Sequence, residues 1–131
     1  MGLDNYFERT SASPENVSFP DGLRLCGGMF SGHGSTGSFR GKVYREFFSE
    51  NLGVDLYNEA TPAMVSFITE QLAALIIEYP DQAWDGNEKQ WVPDAPSAEL
   101  GYYGVTAQEV KDLATLFHAA SEQKLKLVSS Y

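Results

Sequence analysis

Residues 61–80 read TPAMVSFITEQLAALIIEYP, and this segment limits the fold more than any other. Thr61 before Pro62 marks a helix start. The threonine oxygen accepts a bond from a first-turn amide, and proline has no N–H to leave unpaired there. Pro80 stops the helix. In between, Met64, Val65, Ile68, Leu72, Leu75, Ile76 and Tyr79 form one apolar stripe, and Phe67 widens it. A stripe this broad needs cover on most sides, so the reading is a central core helix over 61–79. Its unbroken apolar run, Leu72 to Ile77, is far short of the roughly 20 residues that cross a bilayer.

Two further helices follow from the same reasoning. Phe39, Val43, Tyr44, Phe47 and Phe48 share a face, with Asn51 and Gly53 as end signals, which predicts a helix near 40–51. Thr106-Ala-Gln-Glu109 spells a capping box with Val105 before it, and Val110, Leu113, Ala114 and Phe117 supply a core face, so a third helix is expected near 106–121. Leu3–Glu8 reads as a short strand. Val17 and Phe19, then Leu23 and Leu25, alternate around Pro20-Asp21-Gly22, which predicts a 17–26 hairpin. Lys124–Val128 alternates as a strand would, with a helix running on as the alternative. Residues 80–104 carry Trp84, Trp91, Tyr102 and Tyr103, expected to anchor a long loop with a short strand near 100–104. The sum is an α+β fold, a small antiparallel sheet packed with about three helices, in a single domain over 1–131.

With 131 residues and 43% apolar side chains, the chain can build a core without staples. Cys26 is the one cysteine, so no internal disulfide is available and a reducing compartment fits. The opening residues lack the basic and apolar regions of a secretion signal, and a soluble, cytoplasmic protein is expected, without membrane partners. A net charge of -9 argues against nucleic acid as a partner.

The charge is unevenly placed. Leu23 to Arg45 holds Arg24, Arg40, Lys42 and Arg45 and no acid, and it contains the glycine-rich run CGGMFSGHGSTGSFRGK. Gly32-His33-Gly34-Ser35-Thr36-Gly37 matches G-x-G-x-x-G, a spelling that lets backbone approach a phosphate before a helix start. Asp55 stands near the spacing of a ribose-binding acid. However, Gly27–Ser31 separate the motif from the preceding strand, and no repeated strand–helix alternation follows, so a dinucleotide site is not supported. A P-loop is rejected, because Thr36 replaces its first glycine and Val43 its Ser or Thr. What survives is a general anion site made by Gly32–Gly37 with Ser38, Arg40 and Lys42. Ser38 could equally serve only as a helix N-cap.

Other constellations are weaker. Cys26, His33 and His118 lack a spacing that implies a nucleophilic pair. Asp81-Gln-Ala-Trp-Asp85-Gly-Asn87 resembles a calcium loop only until Ala83 and Val92 occupy ligand positions. Glu46 and Glu50 read as surface charge. No metal or cofactor is expected. The leading expectation is a small binding or protein-interaction module without catalysis, with Trp84, Trp91, Tyr102 and Tyr103 as candidate contacts for a partner or a second copy. The same aromatics have a competing and favoured use as plugs beneath the long loop. The alternative function is a binder of a phosphate-bearing or other anionic small ligand at 32–42.

Overall fold

The short run DNYFE places Asn5 and Phe7 on one face by simple alternation, and both are buried in a central strand, β1 (Asp4–Glu8). The computed structural model describes residues 3–10, 17–20, 22–25 and 38–131. In it β1 is flanked by β2 (Ser38–Phe39) and β5 (Lys126–Ser130), both antiparallel, in the order β2-β1-β5. Asn5 lies opposite Phe39 on one side and opposite Ser129 on the other. A second sheet is the hairpin of β3 (Gln82–Asp85) and β4 (Gln90–Pro93). The helices are α1 (Gly41–Leu52), α2 (Pro62–Glu78) and α3 (Ala107–Glu122). The architecture is α+β, and among the described residues no helix is long and apolar enough to cross a membrane.

Phenylalanines glue the sheet to α1 and α3. Phe7 meets Phe117 edge to face at 5.1 Å, Phe39 stacks on Phe48 at 6.2 Å, and Phe48 meets Phe117 at 5.5 Å. Such pairs contribute about 0.5–1.5 kcal/mol each beyond the area they bury. α2 packs on α3 and on β5, and Ala60 just before it exchanges backbone bonds of 3.0 and 2.9 Å with Leu127.

All three helix signals are realised. Thr61 Oγ1 accepts from the Met64 amide at 3.3 Å, with Pro62 at the first helical position. Thr106 and Glu109 close a reciprocal box at 3.1 and 3.0 Å. Gly53 ends α1 at φ 66, a region that costs other residues a clash between Cβ and backbone.

Three expectations are corrected. Residues 17–20 and 22–25 keep the expected alternation and Gly22 takes φ 83, yet they carry no strand. Their backbone groups go to α3 side chains instead. Ser18 N–H donates to Gln123 Oε1 at 3.0 Å, Gln123 Nε2 donates to Ser18 O at 2.6 Å, and Arg24 N–H donates to Asp112 Oδ2 at 2.9 Å. Among the described residues the hairpin is β3–β4. Its turn is held by Asp85 Oδ1, which accepts from the Asn87 amide at 2.8 Å, so the calcium-like spelling is a turn. The strand expected near 100–104 reduces to a single bridge between Val105 and Trp84, after a short 3-10 turn at Ser97–Glu99. Finally, α2 is not enclosed. Only Val65, Ile68 and Leu72 are buried, while Met64 is 44%, Phe67 45% and Ile77 81% exposed.

Candidate functional site

The glycine-rich candidate divides at Ser38. Cys26 and Gly32 through Gly37, with His33, Ser35 and Thr36, lie outside the described residues. Ser38 belongs to β2 and pairs with Tyr6, so it is not the N-cap of α1. That place is taken by Arg40, whose side chain makes no capping bond. The start of α1 is used internally. Lys42 N–H donates to Leu3 O at 3.0 Å and Val43 N–H to Arg40 O at 3.1 Å. Gly41 is pressed against Asn5, and a Cβ there would run into Asn5 Oδ1. What faces outward from this corner is side-chain charge. Arg40 and Lys42 are half-buried, and among the described residues neither has an ion-pair partner.

Asn5 itself is fully buried and knits three segments. Its Nδ2 donates to Leu56 O at 2.9 Å, to Ser129 Oγ at 3.2 Å and, more weakly, to Val128 O at 3.5 Å. Its Oδ1 is buried without a hydrogen-bond partner at the N-terminal end of α1, where the helix dipole favours a partial negative charge.

The aromatic candidates separate into two pairs. Trp84 and Trp91 oppose each other across β3 and β4, with rings 5.8 Å apart. Trp84 is 5% exposed against Phe47. Trp91 stacks on Tyr79 at 4.5 Å and donates from Nε1 to Asn51 Oδ1 at 3.0 Å. These two are core anchors. Tyr102 is 59% exposed and meets Tyr103 edge to face. Tyr103 accepts a bond of 3.3 Å from Arg45 Nη2, and the guanidinium lies 5.4 Å from its ring centre. That hydrogen bond holds Arg45 above its ordinary pKa, against the opposing effect of desolvation.

Beside Arg45 a polar cleft of about 340 Å³ runs between α1 and the β3–β4 turn, past Glu46, Glu50, Asp55 and Lys89. Lys89 Nζ sits 3.6 Å from both Glu46 and Glu50, so the carboxylate pair is compensated by a cation from the turn. A capping carboxylate has a second use on the opposite side. Glu109 Oε2 accepts from the buried Tyr44 hydroxyl at 2.6 Å. Among the described residues no group of three His, Cys, Asp or Glu could hold a metal ion. His118 is an exposed residue 3.5 Å from Glu122 on α3.

The largest of these depressions is apolar. Between α2 and α3, Thr69, Ala73, Ile76, Ile77, Ala114 and Thr115 line a groove of about 530 Å³, with Lys111 and His118 at its rim. Lys111 is held by Asp81 at 3.1 Å. Sequence reasoning missed this face because it read a helix with so broad a stripe as enclosed, and left Ala73 and Ile77 out of account. The signal was there. Beyond the core stripe, Ala63, Ala74 and Ile77 carry apolar surface round to the other side of 62–78, where Glu70 and Glu78 are the only charges. Comparison with protein-family models, with curated proteins and with solved structures finds no match to this chain.

Proposed function

We propose that this protein is a small protein-interaction module whose contact surface is the open face of α2 and its groove with α3. One observation carries the reading. A helix that is apolar all round is normally enclosed, yet α2 lies at the surface with Met64, Phe67 and Ile77 exposed. Burying a large apolar side chain contributes about 1.5–3 kcal/mol, so covering what these three leave open is worth several kcal/mol to an association. Of the aromatic contacts expected from the sequence, Trp84 and Trp91 give way to this face because they are committed to packing, while Tyr102 stays 59% exposed. The test is a photo-cross-linking residue placed at 67 or 77, with a control at exposed Glu88. Adducts from 67 and 77 and none from 88 are expected. Equal labelling at all three positions, or none, would sink the reading.

A second reading is favoured by Arg40 and Lys42, which carry charge without ion-pair partners among the described residues. In it, residues 32–42 bind a phosphate-bearing or other anionic small ligand through side chains more than through the α1 amides, two of which are already bonded. A phosphate, nucleotide or sugar phosphate at 100 times its dissociation constant would add about 2.7 kcal/mol of stability. That raises Tm by on the order of 5–15 °C for a chain of this size. A shift kept in Arg40→Ala, or a flat screen, counts against it.

A further inference from the structure

We propose that the groove between α2 and α3 receives a short basic amphipathic helix from another protein. The proposal rests on the interaction reading above and names the chemistry of the partner.

Charge points to this occupant. Residues 46–88, which contain α2, hold nine Asp or Glu and no Lys, Arg or His, while the rest of the chain holds nine acids and nine Lys or Arg. The whole net charge of -9 therefore comes from the stretch that carries the open face. On α2 itself the charges are Glu70 and Glu78, both exposed. Glu70 stands seven residues before Ile77, on the same side of the helix and beside the groove. On α3, Glu122 continues the line of Lys111, Thr115 and His118 by one more turn. Lys111 is already held by Asp81 at 3.1 Å, and His118 stands 3.5 Å from Glu122. A basic segment is drawn to such a surface, and an acidic one is repelled by it.

Shape points to a helix. The Thr69 hydroxyl donates to Val65 O at 2.8 Å and the Thr115 hydroxyl to Lys111 O at 3.0 Å. Both are spent within their own helices, so the threonines offer the groove a methyl group. Ala73 and Ala114 extend no further than a methyl either, which leaves room for a partner's large apolar side chains beside Ile77. Ser66 and Ser121, 2.8 Å apart, tie the two helices at one end, and the Lys111–Asp81 pair closes the other. From Thr69 to Ile77 the groove follows α2 for about 12 Å, a little over two turns. A helix with apolar residues at i, i+3 or i+4, and i+7 matches that length, and Lys or Arg on its flanks can meet Glu70 and Glu122. A footprint this small makes a transient contact, not a permanent one.

The probes are dye-labelled helical peptides of equal length. One has a leucine stripe flanked by lysines, one has the same stripe flanked by glutamates, and one scrambles the lysine peptide so that no stripe forms. Fluorescence anisotropy reads each against the full chain at low and moderate salt. The leucine–lysine peptide is expected to bind roughly tenfold or more tighter than either of the others, and to weaken as salt rises. Ile77→Asp, Ala73→Trp and Glu70→Lys should each weaken it by roughly tenfold or more. Glu88→Lys makes the same change of charge on the β3–β4 turn and should shift binding by less than about threefold. These positions lie outside the core, and circular dichroism checks that each variant folds. A leucine–lysine peptide that does not bind, a scrambled one that binds as tightly, or binding blind to Ile77→Asp overturns the proposal. Equal binding of the lysine and glutamate peptides, lost in Ile77→Asp, refutes the basic partner and keeps the contact face. Cross-linking judges that face separately. Adducts from 67 and 77 with no peptide bound leave the face standing and remove the basic helix, and the absence of both removes both.

Discussion

Asn5 is the most exacting place to test the account of the fold. The perturbation is a pair, Asn5→Ala and Asn5→Asp. In Asn5→Ala two well-made hydrogen bonds disappear, those of 2.9 Å to Leu56 O and 3.2 Å to Ser129 Oγ. Each contributes about 1 kcal/mol net. Leu56 O keeps a second donor, Ser129 Oγ at 2.7 Å, so the loss leaves no orphaned carbonyl there. The amide's packing adds to this, and the expected cost is about 2–3 kcal/mol. For a chain of this length the Tm falls by on the order of 6–15 °C. Asn5→Asp keeps the shape but turns a donor into an acceptor that faces Leu56 O and Val128 O. Desolvation then dominates over the favourable α1 dipole at the other oxygen. A carboxyl raised by about 3 pKa units in the folded chain costs about 4 kcal/mol at neutral pH. The sign follows from linkage. With the folded value above the unfolded one near 3.9, the stability deficit is small in acid and grows as pH rises through the unfolded value. The assay is urea unfolding followed by circular dichroism at neutral and acidic pH. The reasoning fails if Asn5→Asp is as stable as Asn5→Ala at neutral pH, or if its deficit does not shrink relative to the parent in acid.

Three further outcomes are expected. Gly41→Ala should cost about 1–3 kcal/mol by overpacking against Asn5, and less when combined with Asn5→Ala, because the smaller residue opens the space; strict additivity in urea unfolding would refute the contact. Glu109→Ala removes both the box at Thr106 and the acceptor of the buried Tyr44 hydroxyl, for about 2–4 kcal/mol, and a loss below about 1 kcal/mol would show that neither bond persists in solution. The Tyr79 hydroxyl is held above its ordinary value by its bond to Glu78, so its contribution to stability is present below the unfolded value near 10 and lost as pH rises through the folded one. NMR titration should find Tyr79 moving back toward that value in Glu78→Gln, and no movement would refute the bond.

The elements that could be read from the sequence are those whose signals are local. Thr61-Pro62 and the Thr106–Glu109 box make bonds within one turn, so residue types alone reveal them. β1 and β5 were legible by alternation, though nothing local says that they pair. The 17–25 segment shows how alternation can mislead. The inward residues do pack on the core, but its amides find Asp112 and Gln123, partners far along the chain. β3–β4 was hidden because Trp84 and Trp91 read as loop anchors, when they are a cross-strand pair around an Asp85 turn. The open face of α2 was missed for a different reason. Hydrophobicity tells how much cover a helix wants, not whether its own chain supplies it.

The pairing of β1 with β5 has a consequence for synthesis. Asn5 and Val128, 123 positions apart, share a hydrogen bond and lie on neighbouring strands. Among the described residues, the neighbours of β1 in its sheet are β5 and the two-residue β2. A chain emerging from the ribosome therefore exposes β1 first and supplies its main neighbour last. At roughly 5–20 residues per second, β1 waits on the order of ten seconds while α1, α2 and the β3–β4 hairpin, built from short-range contacts, are free to form. Through that interval its edges and Phe7 need shelter, and the sheet closes after translation has passed residue 130, not during it.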